Sequence, residues 1–152
     1  MEIVRRLRAL RSAMEEFAGR HHMGFSAKGW MGPFTLNCKY RLVRRIVIRR
    51  VGEYLAVESC FAIPAKTTCK NLHWVNRLNA RLPNVRLAID GGLKFVQFVK
   101  LEDLDLSSGE NLDGALLGGM LWLVVHGEDV GNFLVGKMSE TTSCNAILDD
   151  HR

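Results

Sequence analysis

The sequence predicts an α+β domain, with elements in the order α-β-β-β-α-β-β-α and one antiparallel sheet on which the helices pack. Three observations lead there. Apolar residues recur at 3–4 spacing in a stretch near each end and in one central stretch, as amphipathic helices require. Runs rich in β-branched and aromatic residues lie between them and read as strands. The links between successive strands are too short for a parallel crossover, so those strands pair antiparallel. At 152 residues the chain fits one domain, expected over residues 1–138, with residues 139–152 a polar, flexible tail.

The first helix is carried by Ile3, Leu7, Leu10, Met14 and Phe17. Its predicted end is Gly19, a residue suited to the left-handed position after a helix. Arginines stand early in it and Glu15 and Glu16 late, against the helix dipole, so burial of the apolar stripe has to hold it. Residues 24–32 read as a loop, punctuated by Gly29, Gly32 and Pro33. Phe34–Tyr40, Arg44–Val51 and Tyr54–Ala62 follow as a three-strand meander, with Gly52 and Glu53 at a turn and Pro64 closing the unit.

Thr67 or Thr68 can cap the central helix, because a threonine oxygen accepts from a free amide of the first turn. Cys69, Leu72, Val75, Leu78 and Leu82 form its expected buried stripe, with Lys70, His73, Trp74, Arg77 and Arg81 on the other side. Pro83 stops it. Two strands, residues 84–90 and 93–101, are then joined by Gly91-Gly92, which supply the positive φ angles of a two-residue hairpin turn. That loop pairs Asp90 with Leu93, Leu87 with Val96 and Val85 with Phe98. Val85, Leu87, Ile89, Val96 and Phe98 become the core face, and Arg86, Ala88, Phe95, Gln97 and Val99 the outer one. A slip of one residue reverses the assignment.

Ser107 and Glu110 have the spacing of a capping box and open the last helix. Leu112, Leu116, Gly119, Leu123, His126, Val130 and Phe133 carry it to about Lys137. Its glycines each cost ~1 kcal/mol against alanine. Either the helix breaks near Gly127 or small residues let another element come close, and one long helix with a weak point there is the expectation.

Composition bounds the function classes. The longest apolar run, Ala115–Val125, is shorter than the roughly 20 residues a bilayer span takes, so no membrane is expected. The four cysteines form no C-x-x-C pair, and reduced thiols in a cytoplasmic protein are the expectation. A net charge of +5 permits nucleic acid, an anionic surface or an acidic protein as partner. No nucleophile elbow, phosphate loop or dinucleotide fingerprint occurs. Asp103, Asp105 and Ser107 imitate the start of a calcium loop, but its glycine and final glutamate positions are Ser108 and Gly114. His21, His22 and Cys38 lack a defined ligand spacing. No catalytic residue, metal or cofactor is therefore predicted, and the chain reads as no enzyme.

The central text carries a resemblance. A helix with Val75, Asn76, Leu78 and Asn79, then a strand, then Asp90-Gly91-Gly92-Leu93, then an aliphatic strand into an acidic turn, resembles the YbjN-type family of bacterial sensory transduction regulators. The order of elements is similar to the type III secretion chaperone-like fold. The resemblance is clearest over residues 72–137. It implies a non-enzymatic domain, often dimeric, that binds another protein; the basic balance departs from the acidic character of the secretion chaperones. The expected function is a protein-binding module, chaperone-like or regulatory, acting as a homodimer with a protein client. The predicted partner surface is Trp74, Arg77, Arg81, Arg86, Phe95, Gln97 and Val99, where a client adds a strand at a sheet edge or lies beside the middle helix. The alternative is nucleic-acid binding through Arg41, Arg44, Arg45, Arg49 and Arg50, a stretch that reads equally as a charged edge strand or a solvated one.

Overall fold

A computed structural model describes residues 2–40, 42–63, 65–82, 85–104 and 110–134. It is an α+β fold in which one antiparallel sheet of six strands carries three helices. Helix α1 spans Glu2–Arg20, followed by strands β1 (Gly24–Ala27), β2 (Phe34–Asn37), β3 (Val43–Val51) and β4 (Tyr54–Phe61). Helix α2 spans Cys69–Asn79, β5 is Val85–Ile89, β6 is Leu93–Lys100 and α3 is Glu110–Leu134. The strands lie in the order β1-β2-β3-β4-β6-β5. Arg41, Pro64, Pro83, the capping-box Ser107, the calcium-like Asp105 and the tail expected over residues 139–152 fall outside the described residues.

One face of the sheet makes the core. Phe34, Leu36, Ile46, Ile48, Val57 and Phe95 bury against Leu7, Leu10, Met14 and Phe17 of α1 and against Leu116 and Leu123 of α3. Every strand residue in the buried cluster belongs to this face; the opposite face of the sheet carries no described helix.

The structure corrects the expected order by one strand. Residues 24–27 pair with β2 instead of forming a loop, Phe25 opposite Leu36 and Ala27 opposite Phe34. Four residues with two glycines nearby are too short a run to show alternation, and it is pairing to β2 that orders them. The end of α1 is also displaced. His22, not Gly19, takes the left-handed conformation at φ 55°, and the Met23 amide donates to Ala18 O at 2.8 Å. That is the six-to-one bond of a Schellman end, closed by buried Ala18 and Met23.

Helix α2 is capped by Thr68, whose Oγ1 accepts from the Asn71 amide at 3.1 Å. Val75, Leu78 and Leu82 of the expected stripe are buried, but Asn71 and Trp74 take the places of Cys69 and Leu72, which are exposed. The indole of Trp74 has far more apolar area to hide than the side chain of Cys69, and its burial decides the rotation of the helix.

The β5–β6 hairpin forms, but with Ile89 opposite Leu93, Leu87 opposite Phe95 and Val85 opposite Gln97. The loop holds three residues: the Asp90 amide donates to Gly92 O at 2.9 Å, and of the glycine pair only Gly91 has positive φ, 67°. A two-residue type I′ turn needs two such residues. The chain after β4 crosses here too, Ile63 O accepting from the Leu93 amide at 3.2 Å. The slip reverses β6: Leu93 and Phe95 enter the core, and Val96 and Phe98 turn to the open face.

Helix α3 runs unbroken through Gly127. Its buried residues include Leu112, Leu116, Gly119, Leu123, His126 and Val130, the stripe expected from the spacing. The small residues do permit close approach. A Cβ on Gly119 would stand 2.1 Å from Ser59 Oγ, and one on Gly118 would stand 2.7 Å from Gln97 Oε1. Trp122 then lies flat on Phe61, rings 6.1 Å apart and 4° from parallel.

Candidate interaction surfaces

The predicted partner residues do not form one surface. Trp74 is 0% exposed and Phe95 is buried, so neither meets a partner. Gln97 and Val99 lie on the core face of β6, half-buried, and Gln97 Oε1 sits beside Gly118 of α3. Arg86 lies on the opposite face, where its guanidinium folds back to Val85 O at 2.7 Å and Leu82 O at 3.3 Å. Arg77 and Arg81 are exposed near α2's end. The register slip and the rotation of α2 together scatter the set.

The expected groove beside α2 is closed as well. The Asn79 side chain accepts from the Leu87 amide at 2.7 Å and donates to Leu87 O at 2.9 Å. One amide thus occupies a donor and an acceptor on the outer edge of β5, where an added strand would bind.

The arginine-rich strand is not an edge. β3 lies between β2 and β4. Its arginines divide by position: Arg45 and Arg49 project from the open face, Arg50 turns back to Gly52 O at 2.9 Å, and Arg44 stands at a bulge. Arg44, Arg45, Asp90 and Lys94 line a polar cleft of about 280 Å³ with Cys60 in its wall.

The metal-ligating residue types are dispersed. His21 packs at a tilt against Phe17, ring centroids 4.4 Å apart, and burial, reinforced by the Cys60 thiol, pushes the Cys38 thiol up to about 11. A thiol so far from ionising is a poor ligand and nucleophile at neutral pH. Among the described residues no three His, Cys, Asp or Glu side chains gather as a metal site. Buried His126 packs at a tilt against Trp122, ring centroids 5.1 Å apart.

The surface that sequence reasoning missed is the outward side of α3. Leu121 is 65% exposed, Val124 81% and Val125 62%. No Asp, Glu, Lys or Arg occurs between Gly114 and Gly127 to break it up. Apolar hollows flank it on both sides. One of about 390 Å³ is bounded by Tyr40, Leu42, Met120 and Val124; another of about 410 Å³ by Val85, Leu121, Val125 and His126. A contiguous apolar patch of this kind is a candidate interaction surface. The signal was present in the uninterrupted run Leu121–Val125, which is too long for one face of a half-buried helix. No described helix is long and apolar enough to cross a membrane.

No family model, characterised protein or solved structure matches this chain.

Proposed function

We propose that this protein is a non-enzymatic protein-binding module, chaperone-like or regulatory in kind, that works in the cytoplasm as a homodimer joined through the outward side of α3. The observation that carries the reading is the exposure of Leu121, Val124 and Val125 between two apolar hollows. Two copies crossing at Leu121 would place each helix against the other's hollows, the self-complementary arrangement a two-fold interface needs. The likeness to the YbjN-type family and to the secretion-chaperone order of elements points the same way, toward contact as the work of the fold. The described ionisable groups support it too, since several stand as exposed pairs such as Arg5–Glu2 and Arg11–Glu15.

The test is the mass in solution by light scattering at tens of micromolar. The expected value is twice the 17.1 kDa of one chain. The double variant Leu121→Glu, Val124→Glu is expected to halve it and to leave the circular dichroism spectrum unchanged, because both side chains already face water in the single chain. A wild-type monomer at that concentration removes the dimer from the proposal.

A further inference from the structure

The face of the sheet turned away from the helices has a chemistry of its own. Two aromatic rings stand on it, Tyr54 at 46% exposed and Phe98 at 40%. Tyr54 lies opposite Lys100 and Ala56 opposite Phe98, which makes Tyr54 and Phe98 diagonal neighbours on one face, their strand positions roughly 7–8 Å apart. Ala56 between them is too small to screen either. Cations border the pair: Arg49 opposite Ala56 on β3, Lys100 opposite Tyr54 on β6, and Arg45 and Lys94 on either side of Cys60.

The cations on this face differ in how firmly they are held. Glu58 pairs with Arg49 and, at 4.0 Å, with Lys94; Lys94 also reaches Asp90 at 3.1 Å, and Lys100 reaches Glu102 at 2.9 Å. Arg45 has no side-chain partner among the described residues. The Asp90 and Glu102 carboxylates are exposed, and pairs to them contribute little; Glu58 is largely buried and holds Arg49 and Lys94 more firmly, so phosphates reach those two cations in competition with it.

We propose that this open face binds single-stranded nucleic acid, with two successive bases stacked on Tyr54 and Phe98 and the phosphates on Arg45, Arg49, Lys94 and Lys100. Rings and cations together select this occupant. Bases of a single strand are free to stack on exposed aromatic faces. A duplex keeps its bases in its own stack and offers the rings nothing. An acidic peptide satisfies the cations but leaves the rings unused. The inference is independent of the α3 surface, which lies on the other side of the sheet.

Fluorescence anisotropy with labelled oligo(U) and oligo(dT) of about 10 nucleotides, long enough for one sheet-sized site, tests it. Binding is expected at about 50 mM salt, and four phosphate contacts predict a roughly 50-fold loss on a fourfold rise in salt. Phe98→Leu and Tyr54→Leu keep an apolar side chain but remove the ring, and each is expected to weaken binding about tenfold. Glu58→Gln is expected to tighten it, by releasing Arg49 and Lys94 to the phosphates. Thermal melts of each variant confirm that the fold is retained. No binding at low salt overturns the proposal. So does binding indifferent to both ring substitutions, and so does equal competition by duplex of the same length or by polyglutamate.

Discussion

Helices α1 and α3 cover the same face of the same sheet, yet their outward sides are built in opposite ways and their inward sides differ at one point. Outward, α1 presents Arg5, Arg8, Glu15, Glu16 and Arg20 to water, whereas α3 presents Leu121, Val124 and Val125. Inward, both bury large apolar side chains, Leu7, Leu10, Met14 and Phe17 in α1 and Leu116, Trp122 and Leu123 in α3, but α3 also brings bare backbone against the sheet at Gly119. The contrast separates two demands on a helix. Covering a sheet requires one apolar side, and α1 meets that demand alone. On α3 no described element covers the apolar outward side, and the homodimer proposed above is what would bury it.

The largest effect is expected where α1 fills the core. Phe17 is 0% exposed, and its ring also receives His21 and the Arg20 guanidinium. Phe17→Ala leaves a cavity under the helix and is expected to cost about 3–5 kcal/mol in urea unfolding. A loss below ~1 kcal/mol would mean that α1 is dispensable to the core, and the contrast with α3 would lose one of its terms.

On α3 the same stability is expected to fall for the opposite steric reason. Gly119→Ala puts a methyl group 2.1 Å from Ser59 Oγ and 2.5 Å from Ser59 Cβ. A rotamer change relieves the first contact but not the second, so helix or strand must shift. The expected cost is about 1–3 kcal/mol, net of the gain in helix propensity that alanine brings. Ser59→Gly removes both contacting atoms. In the double variant the penalty should largely disappear, a coupling above ~1 kcal/mol. Additive single effects would show that Gly119 is not the point of closest approach.

These two helices also show what could be read from the residues and what could not. The inner stripes were legible, because burial repeats with the helical period: Leu7, Leu10, Met14 and Phe17 in α1, and Leu112, Leu116, Gly119 and Leu123 in α3. The sheet was legible as far as its long strands. The register of β5 with β6 was not, since it turned on whether Asp90-Gly91-Gly92 closed as two residues or three, a choice made by the chain passing over Gly92 from β4. That single residue moved Phe95 inward and Phe98 outward, and with them half of the expected partner surface. The rotation of α2 had a similar cause: cysteine and tryptophan competed for one stripe, and their spacing alone did not rank them. β1 was missed because its four residues acquire strand geometry only by pairing. The outward side of α3 was hidden by the same helical period that revealed its inward side, because a continuous apolar run satisfies the inner stripe and leaves the remainder unnoticed.

The smallest effect is also the one that locates the boundary of the α3 surface. Gly114 is exposed on α3, with no atom within 4 Å of a Cβ built there. In the single chain, Gly114→Ala has only the backbone entropy of the unfolded state to act on, and it should stabilise by about 1 kcal/mol, a rise of roughly 2–4 °C in melting temperature. Gly119→Ala in the same helix should move the other way, so the pair measures the difference between a glycine kept for contact and one that is not. The proposed dimer adds a second readout. If the two-fold contact is confined to the turn of helix bearing Leu121, Val124 and Val125, Gly114→Ala leaves the mass in solution unchanged while the melting temperature rises. If the mass falls toward that of one chain, the second copy approaches α3 a further two turns toward its start, and Gly114 is retained for close contact between chains as Gly119 is within one.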